Sequence, residues 1–203
     1  MFEDLTREMQ RAREVNWKDP LTYLVTAVIL YQPGKSLADT RFLVVTRQKG
    51  AAMGHKQAHH GGFVKPTDQS LLAAAIREAR EETGYILKPE DLHFLSMAGP
   101  ELYRSTMTAD DDKIVLTITD IQAEPTAPFV IGLFLSNVSN IHRDIETDGE
   151  VSNGEWMTFQ DMIDAYGQSM TFNYWSFLYL VMSHLLGRSV PSIANTSPGT
   201  YLL

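Results

Sequence analysis

The segment Gly61 to Tyr85, GGFVKPTDQSLLAAAIREAREETGY, constrains this chain more than any other. Leu72, Ala75, Ile76 and Ala79 fall at i, i+3, i+4 and i+7. That spacing makes one apolar stripe on a helix from about Ser70 to Thr83. Asp68 or Ser70 can cap its start, and Gly84 can close its end in the left-handed conformation. A helix with one apolar stripe must bury it against another layer, and the flanking sequence offers that layer. Residues 21–31, LTYLVTAVILY, and 41–47, RFLVVTR, are rich in β-branched and aromatic residues and read as strands. A short strand over 57–64 ends at Gly61-Gly62, after a turn at Pro33-Gly34 and a polar loop over 48–56. Further strands are expected at 92–103, 113–119 and 128–136, a polar, acid-rich loop at 139–155, and helices at 158–167 and 173–187. This order predicts an α+β or layered α/β/α domain.

The ends are read separately. Leu5, Met9 and Ala12 put a short amphipathic helix at 3–15, in a leader that stops at Pro20. One domain is expected over 21–187, followed by a loose tail over 188–203 that carries Pro191 and Pro198. With 203 residues, 44% of them apolar and 21% charged, the chain can build a core without staples. It contains no Cys, which excludes disulfides, Cys-based zinc or iron–sulfur sites and a Cys nucleophile. Lys and Arg number 17 against 25 Asp and Glu, a net charge of −8, which argues against a nucleic-acid partner. Ala165 to Gly187 lacks charged residues, but its apolar part, Phe172 to Leu186, is too short to cross a bilayer of about 30 Å. The opening Met1-Phe2-Glu3-Asp4 lacks the features of a secretory signal. No membrane partner and a cytoplasmic location are therefore expected.

Glu78, Glu81 and Glu82 lie at i, i+3 and i+4 on the helix, so their side chains share one surface. The plainest reading is a solvated, salt-bridged face, and Arg77 supports it for Glu81 four residues on. No cation lies at i±3 or i±4 from Glu78 or Glu82. At 100° per residue these two border the apolar arc. Partly buried carboxylates about 5 Å apart repel by roughly 3 kcal/mol at an effective dielectric of 20. Such a pair wants a cation, and clustered oxygen ligands suit Mg²⁺, with Mn²⁺ possible.

The same segment resembles the Nudix box: Gly, five residues, Glu, seven residues, then Arg-Glu-apolar-x-Glu-Glu-x-Gly-apolar. Here Gly62 is followed after five residues by Asp68. The second half reads Arg77-Glu78-Ala79-Arg80-Glu81-Glu82-Thr83-Gly84-Tyr85 and matches every charged and Gly position. Asp68 replaces Glu, eight residues rather than seven separate it from Arg77, and Tyr85 is aromatic rather than aliphatic. The resemblance implies a Nudix fold, a mixed β-sheet sandwiched between helices. It also implies a hydrolase that cleaves a nucleoside diphosphate linked to another group, with a divalent cation, usually Mg²⁺. By matching position, Glu78, Glu81 and Glu82 would bind the metal, the Gly62 carbonyl could add a ligand, and Arg77 would hold Glu81.

Candidates outside the box complete the reading. Arg47, His59, His60 and Tyr103 are candidates for substrate contact, His59 and His60 because they enter Gly61-Gly62 directly. His55 joins them in sequence, but the irregular His spacing does not suit zinc. Trp156 and Phe129 could stack on a base, although most aromatic residues are core. FNYWSFLYLVM, from Phe172, is read as core or as a subunit interface, so a homodimer is possible. Among the acids of 144–155, Glu150 is chosen as general base because Val151 and Trp156 mark the return to packed structure, with Glu146 as runner-up and Glu81 on the helix as the fallback. ADP-ribose, dinucleotides and nucleotide sugars are the expected substrate types. The alternatives are a coenzyme A diphosphatase, faintly indicated by LVVTRQ, and a Nudix-fold module that binds a nucleotide without cleaving it.

Overall fold

The computed structural model describes residues 23–47, 56–57, 59–98, 101–110, 113–123, 129–143, 151–166, 174–188 and 199–202. Strand β1 (Tyr23–Gln32) lies at the centre of a mixed sheet. On one side it pairs in parallel with β8 (Phe129–Asn137), from Tyr23↔Phe129 to Tyr31↔Asn137. β8 in turn pairs antiparallel with β5 (His93–Ala98). On its other side, β1 meets β2 (Arg41–Arg47) at Tyr31↔Phe42 and Gln32↔Arg41. Beyond those pairs the two strands take other partners: β3 (Lys56–Gln57) pairs with β2, and β4 (His59–His60) pairs with β1. β9 (Val151–Thr158) covers the far side of β2.

Strand alternation explains the layering. Val28, Leu30, Leu43, Val45 and Phe134 face helix α1 (Leu71–Thr83) and pack on Ala75 and Ala79. Ala27, Ile29, Phe42, Val44, Leu133 and Leu135 face the opposite way. They pack with Met162 of α2 (Phe159–Tyr166) and with Leu178 and Val181 of α3 (Tyr174–Leu185). Burial on both faces is why 21–31 reads as an unbroken apolar run rather than an alternating one. A second, antiparallel sheet in the order β10-β7-β6 joins β6 (Glu101–Asp110), β7 (Lys113–Ala123) and β10 (Gly199–Leu202). It contributes Leu116 and Ile118 to the core shared by α2 and α3.

Several expectations change. The single strand at 92–103 is two strands in different sheets, β5 and β6. Residues 151–155, read as part of a polar loop, open β9. Its sequence VSNGEWMT lacks an apolar alternation because its order comes from pairing with β2. The tail expected to be loose includes β10, which pairs with β7 from Gly199↔Ile118 to Leu202↔Val115. The expected helix at 3–15 lies outside the described residues, as does most of the 48–56 loop. Among the described residues, no helix is long and apolar enough to cross a membrane.

Candidate functional site

Helix α1 is held at both ends by local chemistry. Ser70, rather than Asp68, is its N-cap: Oγ accepts from the Ala73 N–H at 3.0 Å. Gly84 closes it at φ 76°, donating its N–H to the Arg80 carbonyl at 2.9 Å. With Ala75 and Ala79 on the sheet, Glu78 and Glu82 fall at the border of the contact and are only 8% and 4% exposed. The sequence therefore places the carboxylates, and the sheet buries them.

The strand–loop that enters α1 supplies the other wall. After β4, Gly61 to Val64 continue alongside β1: the Thr26 N–H donates to the Gly62 carbonyl at 2.9 Å and the Val64 N–H to the Leu24 carbonyl at 3.0 Å. Backbone leaves no room for a side chain at Gly61, and one at Gly62 would push the Glu78 carboxylate aside. A Cβ on Gly61 would lie 1.8 Å from the Thr26 carbonyl oxygen, and one on Gly62 would lie 2.8 Å from Glu78 Oε1. The Gly61 N–H donates to Glu82 Oε2 at 3.0 Å. Backbone is thus pressed against both buried carboxylates.

Arg77 connects the rest. Its Nε and Nη2 grip Asp68 Oδ1 and Oδ2 at 2.9 and 2.8 Å, a two-pronged pair whose planar geometry Lys cannot copy. Nη1 donates to Glu81 Oε2 at 2.9 Å and also to Glu78 Oε1, while Nη2 reaches the Phe63 carbonyl at 3.1 Å. Arg77 does hold Glu81, through a single bond, while its two-pronged partner is Asp68. One expectation is corrected here. Glu78 does meet a cation, because Arg77 approaches it from the adjacent position rather than across a helical turn. Asp68, the residue at which the box departs from its pattern, is only 7% exposed and also accepts from the Lys65 N–H at 2.7 Å. Lys65 Nζ lies 3.3 Å from Glu81 Oε2 in a largely exposed pair.

Electrostatics follow from this wiring. The Arg77 hydrogen bonds hold the Asp68 carboxyl below the usual range, against the desolvation that would raise it. Burial pushes the Glu78 carboxyl up, and Arg77 only partly opposes that. Through these contacts three carboxylates, Asp68, Glu78 and Glu81, share two cations, Arg77 and Lys65, and the cluster remains negative. Its hard oxygen donors fit a divalent cation in chemistry. Arg77 bridges Glu78 and Glu81, and Glu82 is turned onto the Gly61 N–H. Among the described residues, no group of three or more His, Asp or Glu is arranged to hold a metal ion.

His60 differs from its expected role. It is 0% exposed, so it lies beneath the carboxylates rather than open to a substrate. Opposite Val28 in the β1–β4 pair, it projects to the α1 side of the sheet. Its Nδ1 is 3.6 Å from Glu82 Oε2, too far for a hydrogen bond, and neither ring nitrogen has a partner. Leaving a buried polar group unpaired costs about 1–3 kcal/mol. At the far end of α1, Arg143 Nε donates to the Thr83 carbonyl at 2.9 Å and stacks over Tyr85, 5.5 Å from its ring centroid. Tyr85 packs edge-on against Trp156, a partly buried side chain at the margin of the core on the α1 side.

The remaining candidates are not brought to the cluster by any described contact. Arg47 pairs through its backbone with Val151, His59 with Ile29 and Tyr103 with Ile121. The side chains of these three candidates, and that of Phe129, lie outside the described residues, as do Glu146 and Glu150 entirely. Sequence reasoning missed Lys65, the Gly61 N–H and the weight of Asp68. The K-P-T-D turn before the N-cap was the available signal for Lys65 and Asp68. Nothing in one dimension indicates which backbone N–H will face Glu82.

The NUDIX domain family model matches residues 22–175. No curated protein matches the chain in sequence. Among solved structures, the NUDIX domain of Shewanella oneidensis NrtR, complexed with ADP ribose, is similar at TM-score 0.54 and 16% identity. The match covers 86% of this chain and 97% of that one. A MutT/nudix family protein from Enterococcus faecalis is similar at TM-score 0.54 and 14% identity, over 92% and 73% of the two chains. A bifunctional NMN adenylyltransferase/ADP ribose pyrophosphatase from Francisella tularensis, complexed with AMP and Mn ion, is similar at TM-score 0.50 and 16% identity. There the match covers 91% of this chain and 47% of the other.

Proposed function

We propose that this chain, which belongs to the NUDIX domain family, is a divalent-cation-dependent hydrolase of a nucleoside diphosphate joined to another group. The observation that carries the reading is the net-negative carboxylate cluster of α1, with Glu78 and Glu82 buried against the Gly61–Gly62 backbone. Glu78, Glu81 and Glu82 would hold Mg²⁺ or Mn²⁺. The Gly62 carbonyl can join them, since its bond from Thr26 leaves a second lone pair. A divalent cation there supplies charge neutralisation for a diphosphate and a lower pKa for water.

The chain's own residues prepare that chemistry. Arg77 fixes the directions of Asp68 and Glu81 and moderates the charge on Glu78. The Gly61 N–H orients Glu82. Glu150 is the proposed general base, a carboxylate outside the cluster that can take a proton from water. Arg47, His59 and Tyr103 remain proposed substrate contacts.

ADP-ribose, dinucleotides and nucleotide sugars are the proposed substrate types. NrtR's ADP ribose and the Francisella protein's ADP ribose pyrophosphatase description accord with that class. A small-molecule ligand, no membrane partner and a cytoplasmic setting are proposed, and the net charge of −8 accords with the absence of a nucleic-acid partner. Shewanella NrtR was itself also solved with a 27mer DNA. A non-catalytic nucleotide-binding module is the second reading, favoured by the Arg77 bridge that engages two of the three helix carboxylates.

Incubation with Mg²⁺ and ADP-ribose, NADH, diadenosine polyphosphates, nucleotide sugars or coenzyme A, followed by product release, separates these readings. Turnover that disappears in Glu82→Gln, in a variant that still folds, supports the hydrolase. Saturable binding without product in every case supports the binding module.

A further inference from the structure

We infer that His60 is a positioning residue for Glu82, holding that carboxylate toward a bound divalent cation by donating from Nδ1. The inference rests on the proposed metal role of the α1 carboxylates and goes beyond it by assigning the group beneath them. Three observations carry it. The imidazole is completely buried, and both its nitrogens lack partners. Its Nδ1 is 3.6 Å from Glu82 Oε2. The Gly61 N–H, from the next residue, already binds the same oxygen at 3.0 Å.

An unpaired buried imidazole is a poor structural element, because an apolar side chain would fill its place without an orphaned donor. It is a good partner for an atom that has to move. With Glu82 turned toward a bound cation, a shift of less than one ångström would bring the Nδ1 donor within hydrogen-bond reach of its carboxylate. The role is that of a hydrogen-bond donor, with no proton transferred. Hydrogen bonds to a ligating carboxylate of this kind typically change metal affinity 10- to 100-fold.

The test uses the full chain and the metal alone, reading the melting temperature during Mg²⁺ and Mn²⁺ titrations. His60→Phe keeps the ring and removes the donors, whereas His60→Asn places an amide N–H near the Nδ1 position. The expected result is a metal-induced rise in wild type. Its midpoint should move about 10- to 100-fold higher in His60→Phe and return to within a few-fold of wild type in His60→Asn. Without metal, His60→Phe should melt no lower than wild type, because it removes an orphaned polar group. If Phe prevents folding, His60→Leu carries the same comparison. A wild-type midpoint in the donorless variant, together with a lower metal-free melting temperature, would assign His60 a packing role and overturn the inference while leaving the metal reading intact. No metal response in wild type itself would overturn both.

Discussion

Arg77 reaches Asp68, Glu78, Glu81 and the Phe63 carbonyl at once, a reach that only a planar fork with several donors permits. Arg77→Lys keeps the charge but loses the fork. Turnover is expected to fall 10- to 100-fold, the range for positioning groups around metal ligands, with a smaller loss of stability. Unchanged rates with a lower melting temperature would reduce Arg77 to a structural bridge. Asp68 makes a pH prediction with a definite sign. Its folded pKa is lowered by Arg77, so its stabilisation is fully present above the unfolded value near 3.9 and is lost as pH falls through the folded value. Asp68→Asn should therefore lower stability at neutral pH by about 1.5–3 kcal/mol, the worth of a hydrogen bond to a charged group. Denaturation curves should show that gap narrowing as pH falls below about 4. A gap independent of pH would remove the ion pair from the account.

At the scale of elements, α1 is the part whose placement the site needs most. Its register against the sheet decides that Glu78 and Glu82, rather than Arg80, meet the glycine backbone. The Ser70 cap and the left-handed Gly84 set where the helix begins and ends. Ser70→Ala leaves the Ala73 N–H without its side-chain acceptor and should cost about 1 kcal/mol. Thermal melts should show that as a fall of about 2–4 °C for a domain of this size. No change would mean that another group takes over the cap. Much of this element was legible beforehand, since local periodicity, capping and glycine chemistry are short-range. Strands β9 and β10 were not, because their order comes from pairing with β2 and β7 rather than from an apolar pattern of their own.

For the molecule as a whole, the acid-rich stretch 144–150 is flanked on both sides by described, paired residues. On one side Arg143 is hydrogen-bonded to Thr83, the residue after Glu82. On the other, Val151 pairs with Arg47. Glu150 within that stretch is the proposed general base. Glu150→Gln should cut turnover by about 10²–10⁴, the usual worth of general-base catalysis, while the metal-dependent rise in melting temperature stays as in wild type. A loss below tenfold, or one traced to weaker Mg²⁺ binding, would exclude it.

The sequence by itself determined the α1 stripe, its caps, the carboxylates at i, i+3 and i+4, and the strand character of 21–31 and 41–47. All of these depend on neighbours within a turn or two, where spacing alone decides which side chains meet. It also carried the resemblance by which the fold could be expected. Only the tertiary structure decided that Arg77 grips Asp68 nine positions earlier, that the Gly61 N–H faces Glu82, and that His60 is buried below the site. Those contacts are set by how closely the strand after β4 runs along β1 under the helix. That separation results from the packing of the whole sheet and has no periodic trace in the chain.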